Sequence, residues 1–281
     1  MGVYQVADER DVGPGRAPLI FNDDPAKSDF FLELDRHSLW GDGVEGEDFF
    51  IVYDRIYDLR WPGNNMRSSE HIIYAHTFVE NLSNAIRSGD WDTIKPLIDI
   101  PSFVDFYIVQ ELMKNTDVGW FSVFMTIRGQ DENRKMHMGP VWDFDQSSGN
   151  SENRVLLEER APYRVSSPEG LFAGLYNYWY RYLLQVPEFR ELIVTRWAEV
   201  ADTQVAEAIQ HIRDMFYEYR DDFELNFLRH PICLDDPPEW IWVISDITAG
   251  IDSFYGHVEY LLDWLEERVE WLNQHFAQDM M

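Results

Sequence analysis

Residues 117–150 read DVGWFSVFMTIRGQDENRKMHMGPVWDFDQSSGN. Two apolar runs, WFSVFMTI (120–127) and KMHMGPVW (135–142), flank the polar segment RGQDENR (128–134). Such a pattern reads as a β-hairpin. Carboxylates bracket it, with Asp117 before the first strand and Asp143 and Asp145 after the second. The chain already carries a formal net charge of −28. Two further negative charges one residue apart therefore either cap a turn or hold a cation.

Working outward from the hairpin, the period changes to that of a helix. Pro101 suits a first helical turn, and Ser102 with Asp105 forms a candidate capping box. The expected helix runs through FVDFYIVQELMKN and buries Val104, Tyr107, Ile108 and Leu112. An earlier helix, capped by Ser68 or Ser69, carries Ile72, Ala75, Val79, Leu82 and Ile86 on one face. Residues 1–60 read as strands and turns, with GVYQVADERDV, DFFLELD and DFFIVYDRIYDLRW as three β-rich runs. Downstream, helices are expected near 170–184, 187–200, 203–226 and 252–276. A long connection over 228–250 contains Pro231, Pro237 and Pro238. Strands first, then helices with one inserted hairpin, indicate an α+β fold.

Composition narrows the partners. The 281 residues include 51 acids against 23 lysines and arginines, with 45% hydrophobic and 15% aromatic content. This is ample for a core, and the acidic surface repels nucleic-acid phosphates and anionic lipid. Nucleic acid is therefore not an expected partner. Nor is membrane insertion, since no run approaches 18 uninterrupted apolar residues. The lysines are Lys27, Lys95, Lys114 and Lys135. An anionic ligand would accordingly need arginines, backbone amides or a metal. Cys233 is the sole cysteine, so no internal disulfide can form. The N-terminus lacks the basic and apolar regions of a signal peptide, and the compartment is left open.

Several motifs are set aside. Gly41-Asp-Gly-Val-Glu-Gly46 matches G-x-G-x-x-G, but a strand follows it instead of a helix, and its acids repel phosphate. It reads as an acidic turn. His71 and His76 are five residues apart, not the four that align two ligands on a helix face. His137 reads as a structural strand residue. There is no H-E-x-x-H and no G-x-S-x-G.

The carboxylates remain. Asp117 follows a helix, Ser122 lies five residues later, and Asp143 follows the hairpin. This order matches the phosphoryl-transfer layout of a base, an oxygen ligand and a metal-binding Asp. Three other readings stay open at this point. The acids can be turn caps, the D-x-D pair can hold a metal and a nucleotide-sugar, or the pair can serve glycoside hydrolysis. Eleven tryptophans could line a sugar site, but aromatic residues at helical spacing more often form core.

The stretch from Asp99 to Asn150 resembles the spore coat protein H (CotH) kinase family, atypical relatives of protein kinases. The resemblance rests on Glu111, Lys114-Asn115-x-Asp117, Ser122, Gly139-Pro140-x-Trp142-Asp143-x-Asp145 and Gly149-Asn150. Weaker similarity extends on both sides, to GVYQVADERDVGPGR and FFLELD upstream and to RYLLQVPEFRELIVTRWAEV and YLLDWLEERVEWLNQHF downstream. It implies an atypical protein-kinase-like fold, with a partial β-rich N-lobe over 1–66 and a mainly helical C-lobe over 67–281 that carries the catalytic hairpin 117–150. On that resemblance the family's N-lobe would start earlier, so the chain is expected to begin inside that lobe, with no obvious phosphate-binding lysine upstream. The hairpin is about three residues longer than is usual for the family, and QDENR at its tip makes this harmless.

Carried over, Asp117 would be the catalytic base, and Asp143 with Ser122 would hold metal. Asn115, Asp145, Glu111 and Lys114 would support the site. The implied cofactors are ATP with Mg²⁺ or Mn²⁺, and the implied partner is a protein substrate bearing Ser or Thr. Members are often secreted or associated with spore coats. The alternative from another functional class is a non-catalytic, kinase-like structural or coat/surface binding module.

Overall fold

The near-continuous apolar run FFLEL suits a central strand covered on both faces, and all five residues of β1 (Phe30–Leu34) are buried. The structure, a computed structural model, describes residues 12–13, 16–150, 166–229, 248, 250–251 and 253–279. Strands β2 (Phe49–Val52) and β3 (Arg55–Trp61) form a hairpin, and β4 (Val123–Arg128) and β5 (Lys135–Met138) form a second. Strand β1 joins the two, pairing antiparallel with β3 on one side and β4 on the other. The result is one five-stranded sheet in the order β2-β3-β1-β4-β5. The hairpin inserted among the helices thus continues the N-terminal sheet, with Leu34 opposite Val123 and Phe31 opposite Thr126.

The run 48–61, expected as one strand, is broken at Tyr53-Asp54. Val52 pairs with Arg55 across that two-residue turn, and Tyr53 takes φ +58°. Left-handed backbone is what a tight hairpin turn requires. Of the first expected strand run, residues 2–11 lie outside the described residues, and Val12 makes an isolated bridge to Ala17.

Helix α1 (Ser69–Ser88) starts at Ser68, whose side chain and that of His71 form a reciprocal capping box. Its buried face, Ile72, Ala75, Val79, Leu82 and Ile86, is the one the sequence indicates. A short helix α2 (Trp91–Ile94) leads to α3 (Ile100–Met113). The cap of α3 is Asp99, which accepts a hydrogen bond from the Ser102 amide at 3.1 Å, and not the expected Ser102–Asp105 pair. Asp105 is instead exposed and pairs with Arg196. Val104, Tyr107 and Ile108 are buried as expected, but Leu112 is only half-buried.

The expected helix 170–184 is two, α4 (Ala173–Tyr176) and α5 (Tyr178–Leu183). Asn177 divides them, because its side chain caps Trp179 and Tyr180 and its amide donates to Val118 O. Helix α6 (Pro187–Val200) passes through one π-helical turn, Ala201–Val205, into α7 (Ala206–Arg229). Helix α7 therefore takes in Leu228 and Arg229, expected to lie in the connection; residues 230–247 of that connection lie outside the described residues. Helix α8 (Phe254–Asp279) closes the described chain.

One contiguous apolar core fills the space between sheet and helices. Phe30, Leu32 and Leu34 of β1, Val79 and Leu82 of α1, Phe103 and Tyr107 of α3 and Phe276 of α8 all belong to it. Two aromatic residues inside it satisfy their polar tips: Trp179 Nε1 donates to Ser83 Oγ at 2.9 Å and Tyr180 OH to Phe103 O at 2.8 Å. This packing fixes the C-terminal end of α3 against the start of β4, where the carboxylates lie.

Candidate active site

Helix α3 ends at Lys114 with φ +48°, a left-handed stop that turns the chain sharply into Asn115. Asn115 is buried, and its Oδ1 accepts from the Asp117 amide at 3.1 Å. This caps a single 3-10 turn, Thr116–Gly119. The other end of the same side chain, Nδ2, donates to the Asp143 carbonyl at 3.1 Å. One buried amide thus ties the segment before the hairpin to the segment after it. Thr116 strengthens the tie, since its N and Oγ1 both donate to Gln146 O. So does Ser148, whose amide donates to Met113 O at 2.7 Å.

Asp143 lies five residues beyond the end of β5, in a loop, and not at the strand end expected. It adopts φ +61°, and Ser122, just before β4, adopts φ +54°. Non-glycine residues seldom sit there, and such backbone is held only where its surroundings fix it. The two are in contact, with Ser122 Oγ donating to Asp143 Oδ2 at 3.2 Å.

Asp117, Asp143 and Asp145 each offer a carboxylate oxygen, and these atoms lie within 4.8 Å of one another. Asp117 is half-buried, while Asp143 and Asp145 are exposed. Burial first, then the charges of Asp143 and Asp145, push the Asp117 carboxyl up to about 6. Asp145 is also raised, by burial and then by Asp143. Three oxygens at this spacing with nearby repulsion form a donor set suited to a hard divalent cation, which takes oxygen ligands and offsets the carboxylate charge. The Ser122 hydroxyl adds a neutral oxygen at the rim. The residues present therefore fit Mg²⁺ or Mn²⁺.

The structure brings Asn115, Asp117, Ser122, Asp143 and Asp145 together. Glu111 and Lys114 have other partners. Glu111 is fully buried and accepts from the amides of Phe172 (2.6 Å) and Ala173 (2.9 Å) and from Arg268 Nη2 (2.8 Å). Lys114 is buried too, and its Nζ donates to the carbonyls of Ser167, at 2.8 Å, and Glu169. Burial and the neighbouring Arg268 pull the Lys114 ammonium down to about 7. These two residues anchor the end of α3 to segment 167–173.

Arg268 was not apparent as a member of this assembly. It is fully buried in α8 and donates to the carbonyls of Glu111, Pro168 and Gly170. The signal in sequence was a lone charge on the apolar stripe between Leu265 and Leu272. Two residues after β1 also reach the site. Asp35 and His37 both act electrostatically on Asp117. The ring of His37 lies 5.0 Å from that of Phe121, and Asp35 Oδ1 is 2.7 Å from His37 Nδ1. The acidic turn 41–47 is exposed, as expected of a turn. His71 is buried against Phe21 and Phe30, and His76 stacks on Phe50, so both serve packing.

The family model described as CotH kinase protein matches residues 53–272, which is most of the chain and includes every residue of the carboxylate cluster. The chain belongs to the CotH kinase family. No curated protein matches it. No described helix is long and apolar enough to cross a membrane.

Proposed function

We propose that the chain is an ATP-dependent protein kinase of the CotH type, acting on serine or threonine hydroxyls with Mg²⁺ or Mn²⁺. The observation that carries this reading is the convergence of Asp117 with Asp143 across the hairpin, joined by Asn115 and flanked by Ser122. Asp117 is the base. It takes the proton of the acceptor hydroxyl as that oxygen bonds to the γ-phosphorus of ATP. The bond from the γ-phosphorus to the β–γ bridging oxygen breaks, and ADP leaves.

Asp143 and Asp145 would hold the metal, with Ser122 as an additional oxygen. The bound cation supplies charge neutralisation between these carboxylates and the phosphates. Asn115 orients Asp117 through its amide and keeps Asp143 in register. The raised Asp117 carboxyl suits a base that works near neutral pH. The assay is incubation of the chain with labelled ATP and Mg²⁺ or Mn²⁺, scoring autophosphorylation and transfer to a carrier protein. A folded wild-type sample giving no more signal than Asp143→Ala would sink the reading.

One observation favours a second reading, a kinase-like binding module without turnover. Lys114, the lysine nearest the carboxylates in sequence, spends its ammonium on two carbonyls and leaves no lysine for phosphate among the residues of the cluster. Calorimetry separates the two. A well-folded chain that does not bind ATP with Mg²⁺ is the outcome this second reading expects.

A further inference from the structure

An acidic protein that binds a polyphosphate needs a cation facing the metal, and the described residues near the cluster narrow the choice. Lys114 is committed to the Ser167 and Glu169 carbonyls. Arg268 is committed to Glu111. Arg60 is shared among Glu33, Asp58 and Asp35 at 2.6, 3.2 and 3.6 Å. Arg55 is buried on Trp120, 3.4 Å from the ring centroid, and pairs with Asp54. Arg36 differs from all of these. It is half-buried and donates to no described carboxylate or carbonyl. Its guanidinium lies over the Trp120 ring at 4.6 Å.

The position of Trp120 ties Arg36 to the site, because the Trp120 amide donates to Asp117 O at 2.9 Å. The residues on both sides of Arg36, Asp35 and His37, act on the Asp117 carboxyl. Stacking also has a chemical consequence. A guanidinium resting on an aromatic ring keeps its N–H groups available for the paired hydrogen bonds with which arginine grips phosphate. The indole engages the cation without consuming its donors.

We propose that Arg36, held by Trp120, is the phosphate-binding cation of this site, in place of a lysine. The inference rests on the ATP reading above and assigns a positioning residue to it. Arg36 contacts the phosphates and orients them; it takes no part in proton transfer.

The test is calorimetric binding of ATP with Mg²⁺ to the whole chain, which needs no turnover. Arg36→Met is compared with Arg36→Lys and with Arg181→Met, which removes the same charge from an exposed position on α5. Expected is at least a tenfold loss of Mg-ATP affinity in Arg36→Met, partial recovery in Arg36→Lys, and less than a twofold change in Arg181→Met. Adenosine affinity, and Mn²⁺ affinity without nucleotide, stay at the wild-type level in all three. Thermal unfolding checks that each variant is folded; should Arg36→Met not fold, Arg36→Gln replaces it under the same criteria. Mg-ATP affinity within twofold of wild type in the Arg36 variants overturns the role of Arg36 and leaves the ATP reading standing. Absence of Mg-ATP binding by the wild-type chain overturns both.

Discussion

Asn115 and Asp143 are 28 residues apart and joined by a single hydrogen bond, from the buried Asn115 amide to the Asp143 carbonyl at 3.1 Å. The same side chain caps Asp117 from its other end. The two acids on which the proposed phosphoryl transfer depends are thus positioned by one residue that carries no charge.

Asn115→Ala removes both bonds at once. A misplacement of about 1 Å can cost about a hundredfold in rate, and a loss of that order in labelled-phosphate transfer is expected. The carboxylates proposed to hold the metal themselves remain. Detectable Mn²⁺ binding with much reduced transfer is therefore the expected pattern, and transfer at the wild-type rate would refute it.

Asp143→Ala removes an oxygen donor and relieves repulsion on Asp117. Mn²⁺ affinity, followed by calorimetry or by paramagnetic broadening, falls at least tenfold. Transfer is nearly abolished, because catalysis of this type is positioning and charge stabilisation. In the metal-free protein the Asp117 carboxyl moves down towards its ordinary value, since one of the charges that raise it is gone.

The pH dependence follows from Asp117, raised to about 6 from an ordinary 3.8. The folded protein favours its protonated form. Its contribution to stability is complete below pH 3.8 and is lost as pH rises through about 6. The activity of a base runs the other way, rising as pH climbs through the same range. Titration of Asp117 by NMR in the metal-free chain checks the value. Added Mg²⁺ moves the midpoint lower, because a nearby cation favours the carboxylate.

Glu111 and Arg268 are both fully buried and meet at 2.8 Å. Truncating one partner leaves an uncompensated buried charge. Arg268→Met or Glu111→Ala should cost about 3–5 kcal/mol of unfolding free energy in urea. The double variant Glu111→Leu/Arg268→Leu should recover part of the loss, and strictly additive losses would contradict the pairing.

Gly149 has φ +82°, and an added Cβ would lie 2.7 Å from Trp264 Cδ1. Gly149→Ala therefore strains the loop that follows Asp145 on two counts, backbone and contact. A loss of about 1–3 kcal/mol and weaker Mn²⁺ binding are expected, against a near-neutral result for an alanine at exposed Gly41, where the nearest atom to an added Cβ is His37 O at 3.8 Å.

Much of this was legible in the chain. The inserted hairpin stood out because Val123, Met125 and Ile127 alternate before a polar tip, and α1 because its apolar face repeats cleanly from Ile72 to Ile86. The cluster of Asp117, Ser122, Asp143 and Asp145 was recoverable from their order and from the family resemblance. Other features depend on what meets in space. The break at Tyr53-Asp54 was hidden because both flanks are strand-forming and neither turn residue is glycine or proline. Asn177 divides a helix that its neighbours favour, because its cap and its bond to Val118 O outweigh local propensity. Asp99 takes the cap in place of the Ser102–Asp105 pair, since it lies one position before the first helical residue. The partners of Glu111 and Lys114 come from residues 167–173 and 268, too distant along the chain for any periodicity to connect.

The hairpin begins beside Ser122, returns towards Asp143, and carries its polar tip at the opposite end. Six residues of β4 at about 3.3 Å each set the tip roughly 20 Å from the carboxylates. β4 is hydrogen-bonded on both edges, to β1 and β5, so this separation is stiff. The tip is consequently a fixed-length boom. A cysteine placed at exposed Glu132, with Cys233 replaced by serine, would carry a spectroscopic label at a constant distance from a bound Mn²⁺. Paramagnetic relaxation of that label would then serve as a ruler for metal occupancy without perturbing the site it reports on.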